Sequence, residues 1–103
     1  MTYNHKILEV MEAVLNGTLG IIDASRRIVR LRVELRLFET DVLNLFRAID
    51  SQTDHLILNT ENIPMSDARK EENIREIGDY ESFYRAEVER ECRYILSQTT
   101  FED

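Results

Sequence analysis

One cysteine, one proline, three glycines and no tryptophan stand in 103 residues, and Lys and Arg number 13 against 20 Asp and Glu. The lone cysteine, Cys92, excludes an intrachain disulfide framework and a cysteine-based zinc cluster, so stability has to come from packing. The deficit of basic side chains leaves a formal charge of -7, which disfavours general nucleic-acid binding because neutralising phosphates requires Lys and Arg. No uncharged run approaches the roughly 20 apolar residues of a bilayer-spanning helix, so a membrane partner is not expected. Nor does an apolar stretch with a small-residue cleavage site follow Met1, so a secretory signal is not expected and the cytoplasm is the expected location. What is present, 43% hydrophobic residues, is enough to fold. A chain of this mass is expected to form one domain over 1–103 with roughly 6,000 Å² of surface and a thin core.

The apolar pattern is helical throughout. Ile7, Leu8, Val10, Met11, Val14 and Leu15 recur at three- and four-residue spacing, and Asn16-Gly17 suits the end of that helix. Ile21, Ala24, Ile28, Leu31, Leu35 and Phe38 form the next stripe, widened by Ile22, Val29 and Val33, with Thr18, Gly20 or Asp23 marking its start. The spacing predicts this central helix over about 20–37. A bend near Phe38–Asp41, where Thr40 is a capping candidate, precedes Val42, Leu45, Phe46 and Ile49. The polar connection 50–67 encloses Leu56-Ile57-Leu58, read as a short extended piece over the core. Pro64 and Ser66-Asp67 then open a last helix over about 67–96, with Ile74, Ile77, Tyr80 or Glu81, Tyr84, Val88, Cys92 and Ile95 on its apolar face. Gly78 interrupts that helix, pointing to a local bend or a close helix crossing. The expected fold is all-α, a three- or four-helix antiparallel bundle with a long C-terminal helix.

Three groups of side chains are candidates for function. Asp50, Ser51, Thr53, Asp54 and His55 concentrate polar chemistry after an apolar helix. Asp54 is placed to orient His55, and a hydrolase would use His55 as base, Asp54 as orienter and Ser51 as nucleophile. The same residues are read more simply as a helix terminus and an Asx turn, with His55 satisfying buried backbone acceptors, and ligand or partner recognition stands between the two. A second group, Arg26, Arg27 and Arg30, lies in an interval with five arginines and one glutamate. It pairs with the acidic final helix or binds an acidic partner, a phosphate or nucleic acid, and a buried arginine among them would need carboxylates or carbonyls. The third group, Asp79, Tyr80, Glu81, Tyr84, Glu87 and Glu91, mixes carboxylates with aromatics. It reads as a solvated helix face or as a surface for a basic protein, with aromatic anchors and charge-steered encounter. Phe83 and Tyr94 lie in the same stretch. Cys92 falls on the apolar stripe as a small buried thiol. His5, His55, Asp50 and Asp54 lack metal-site spacing, so no metal and no cofactor are expected.

The stretch Phe46-Arg47-Ala48-Ile49-Asp50-Ser51-Gln52-Thr53-Asp54-His55-Leu56 resembles a short signature of small bacterial helical proteins of uncharacterised function, in which an Ile-Asp-Ser turn leads to Thr-Asp-His. The likeness extends over Leu19–Cys92 and departs after His55, where Ile57-Leu58 replaces Pro-Gly. It implies a compact helical domain and draws attention to Asp50, Ser51, Asp54 and His55, without a reaction or ligand. Taken together, the residues favour a non-enzymatic protein-interaction or assembly module, homodimeric because a thin core gains from added burial. A small hydrolase or ligand-binding protein built on the Asp50–His55 junction is the alternative.

Overall fold

The computed structural model describes residues 5–36, 43–58 and 63–98. Four helices, α1 (His5–Leu15), α2 (Ile21–Glu34), α3 (Asn44–Gln52) and α4 (Asp67–Gln98), form a bundle-like all-α fold. The expectations for Phe38, Thr40, Asp41 and Val42 lie outside the described residues.

In α1 the buried residues Ile7, Leu8, Met11 and Val14 keep to one face. The helix ends at Asn16-Gly17, where Gly17 takes φ 77°, a left-handed conformation that a Cβ would oppose. Thr18 does not cap α2. Its hydroxyl donates to the Ala13 carbonyl at 3.1 Å, so it closes α1 instead. The N-cap of α2 is Gly20, without a side-chain bond, and Asp23 supplies negative charge to the first turn.

α2 buries Ile21, Ile22, Ala24, Ser25 and Ile28, and the Ser25 hydroxyl bonds back to Ile21 O at 2.8 Å. The helix stops at Glu34, short of the predicted 37, with Arg36 at φ 55° just beyond it. Beyond Ile28 its cover thins: Leu31 and Leu35 are half-buried, and Val33, expected to widen the apolar surface, is 56% exposed. α3 contributes Phe46 and Ile49, with Leu43 just before it. It runs two residues past Asp50 and closes at Thr53, whose N–H and hydroxyl both donate to Ile49 O, at 3.0 and 2.6 Å.

The start of α4 follows expectation: the Ser66 side chain accepts the Arg69 N–H at 3.3 Å, and Asp67 occupies the first turn. At about 1.5 Å per residue its 32 residues span about 48 Å, matching the longest dimension of the molecule, 49 Å. The exposed surface, 6965 Å², exceeds the roughly 6,000 Å² of a compact chain of this mass, as an overhanging helix requires.

The core joins Ile7, Leu8, Met11, Val14, Ile21, Ala24, Ile28, Leu43, Phe46, Ile49, Val88, Cys92 and Ile95. Among the described residues, α4 contributes to it only from Tyr84 onward. Ile74, expected on the core stripe, is 62% exposed, and its neighbour Asn73 is buried instead. Of the two readings of Gly78, a bend or a close crossing, the crossing is not made among the described residues: a Cβ there would meet nothing within 4 Å, although glycine costs an exposed helix about 1 kcal/mol relative to alanine. The close approach is at Gly20, where a Cβ would lie 2.6 Å from Glu81 Oε1. Among the described residues no helix is long and apolar enough to cross a membrane.

Candidate functional site

The junction after α3 is held from two sides. Arg26, on α2, donates from one guanidinium nitrogen, Nη2, to Thr53 O at 2.6 Å and Leu56 O at 2.7 Å. These carbonyls lie at and beyond the negative end of α3, where a cation is favoured. From α4, Asn73 bonds both backbone groups of Ile57: its Oδ1 accepts the N–H at 3.0 Å and its Nδ2 donates to the carbonyl at 2.7 Å. One side chain thereby does for Ile57 what a neighbouring strand would do, so the extended piece needs no sheet. Leu56 is buried beneath it.

These contacts assign the polar residues of the junction. His55 does not satisfy buried acceptors; that role falls to Arg26. The imidazole is about half exposed, with Nδ1 4.0 Å from Asp54 and Nε2 3.7 Å from Glu76. It borders a polar cavity of about 530 Å³ shared with Ile57, Met65, Arg69, Glu72, Asn73 and Glu76. Ser51 is exposed on α3, and among the described residues no hydrogen bond joins its hydroxyl to His55. The Thr53 hydroxyl is committed to Ile49. Asp50 is half-buried and Asp54 is exposed.

A second concavity, about 370 Å³ and largely apolar, is lined by Gln52, Asp79, Tyr80, Phe83 and Tyr84. Tyr84 reaches across from α4 and donates its hydroxyl to Gln52 Oε1 at 2.7 Å, fixing its ring between the core and the groove. Phe83 stacks edge-on against that ring, centroids 4.9 Å apart and planes at 85°, yet is 77% exposed. Asp79 and Glu87, one turn before and after Phe83, are exposed. Tyr80 and Glu91 are half-buried. Glu81 is also half-buried, lying against Gly20 and 3.9 Å from Arg85, so it belongs to the junction of α2 with α4. Phe83 was visible in the sequence as an aromatic one residue out of register with the core stripe.

The arginines of α2 do not all meet the acidic helix. Arg27 pairs with Asp23 on its own helix at 3.0 Å, Arg26 takes the carbonyls, and Arg30 is exposed. Several charges of α4 pair along the helix instead, Arg85 with Glu81 and Glu89 and Arg93 with Glu89. His5 stands 2.9 Å from Glu9. Among the described residues no three His, Cys, Asp or Glu side chains gather as a metal ion requires.

Cys92 is fully buried. Burial, with Glu91 and Glu89 nearby, pushes its thiol up to about 12 from 9.0. The unfolded thiol therefore ionises first as pH rises, so this contribution to stability is intact below about pH 9 and is lost toward pH 12. Native protein should resist a thiol reagent at pH 8 and react at the rate of unfolding. The alkaline fall in stability should be shallower for Cys92→Ala in pH-dependent denaturant titrations; equal slopes would contradict the assignment.

No protein-family model matches the chain, and neither a curated protein nor a solved structure matches it.

Proposed function

We propose that this chain is a protein-interaction module that receives a basic partner on the α4 face centred on Phe83. The groove beside Phe83 carries the reading. A large aromatic left mostly in water, backed by a hydrogen-bonded tyrosine, is a preformed anchor site. Glu76, Asp79 and Glu87 share its face at helical spacings of seven and four, with Arg90 the opposing charge one turn past Glu87. Cationic side chains of a partner would meet these carboxylates while an apolar side chain enters the groove. Homodimerisation belongs to the same reading of the chain as an assembly module, and the resemblance of Phe46–Leu56 to small bacterial helical proteins is a proposal about this scaffold.

The test is capture of partners from the source organism by the full chain and by three variants. A basic partner should be retained by wild type and by His55→Ala, and its affinity should fall about tenfold or more for Phe83→Ala and for Asp79→Lys with Glu87→Lys. Retention indifferent to Phe83 would overturn the reading. Dependence on His55 alone would transfer it to the second reading, a ligand-binding site in the cavity where His55 faces Glu76 and Arg69. Its hydrolytic form would also have to bring the Ser51 hydroxyl to His55.

A further inference from the structure

We propose that the N-terminal half of α4 is a homodimer interface, in which two copies cross antiparallel at Gly78. Three observations converge on this segment, which lies away from the Phe83 face. Among the described residues the core takes nothing from α4 before Tyr84, so the apolar stripe continues past the core with only partial cover: Ile74 is 62% exposed and Ile77 half-buried. Gly78, one turn from Ile74 on the same side, has open space where a side chain would stand. A glycine in that position lets a second helix approach closely, which no helix among the described residues does there. The surface is also complementary to itself. Glu71 and Arg85 lie seven residues before and after Gly78, two turns away on the same side, and both are exposed. A twofold axis at Gly78 sets Glu71 of one copy opposite Arg85 of the other, twice per dimer, and lays Ile74 opposite Ser82, about one turn from Arg85. The occupant with matching charge at both ends of this crossing is a second copy of the chain.

Sedimentation of the full chain over about 1 µM to 1 mM should show a monomer–dimer equilibrium. Glu71→Arg and Arg85→Glu should each weaken it about tenfold or more by placing like charges together, and the double variant should return to within about threefold of wild type. Gly78→Leu should abolish the dimer while helicity stays native, which separates lost contact from failed folding. Phe83→Ala should leave self-association unchanged, so failure of this interface and failure of the partner face are distinguishable. A chain that remains monomeric throughout, or a dimer indifferent to Gly78→Leu and to the charge reversals, would overturn the proposal.

Discussion

Arg26→Ala is expected to destabilise the fold by about 2–4 kcal/mol, the sum of two lost charge-assisted bonds and the stranding of Leu56 O as an acceptor. Arg26 is the link between α2 and the end of α3: its Nη2 holds Thr53 O and Leu56 O at 2.6 and 2.7 Å. Removal leaves Leu56 O in a partly buried corner without its donor, while Thr53 O keeps the Leu56 N–H at 3.0 Å, and it also withdraws positive charge from the α3 C-terminus. For a chain of about 100 residues the loss corresponds to a fall in Tm of roughly 10–25 °C. Arg26→Met keeps most of the stem and removes the donors, so comparing the two variants in denaturant titrations separates packing from hydrogen bonding. Hydrogen exchange should show Thr53–Ile57 opening first, because among the described residues Asn73 would then be the one side chain of another helix still hydrogen-bonded to the segment. A loss below about 1 kcal/mol would mean that water replaces the guanidinium at little cost.

Phe46→Ala should cost more, about 3–5 kcal/mol, because a fully buried phenyl ring is removed from a thin core. α3 is 9 residues long and buries only Phe46 and Ile49, so the ring is a large share of what attaches it. Against a total stability of about 5–15 kcal/mol for natural domains, the variant is expected to be poorly folded at 37 °C. Thermal and denaturant unfolding followed by circular dichroism measure the change. A cost below about 1.5 kcal/mol would show that the surroundings collapse into the space. Phe83→Ala is the matched control: the same atoms leave a ring that is 77% exposed, and stability should move by no more than about 0.5 kcal/mol. Two phenylalanines in one chain thus divide into a residue that holds the fold and one available to a partner.

The site was less legible than the helices. Arg26 and His55 were both recognised as chemistry-bearing residues, but their roles depended on which backbone carbonyls came within reach. Arg26 was to satisfy acidic groups or carbonyls if buried, and the carbonyls prevailed. His55, a base oriented by Asp54 in one reading and a donor to buried backbone in another, faces Asp54 and Glu76 at the surface. Asn73 gave no signal, since an asparagine within a helical charge pattern looks like any solvated position until Ile57 is laid against it.

By itself the sequence determined that the chain is helical, where α1 and α4 are punctuated, and that Cys92 lies inside. Those properties are local: period, a glycine at φ 77° and a serine cap act within one or two turns. Only the tertiary structure decided where the apolar stripe of α4 ceases to be core. Periodicity says which face of a helix is apolar, but cover depends on the length of its neighbours. α1, α2 and α3 have 11, 14 and 9 residues against 32 in α4, so at about 1.5 Å per residue they cannot reach along it. Val88, Cys92 and Ile95 are buried for that reason, while Ile74, with the same apolar chemistry and a place in the same repeat, is left in water.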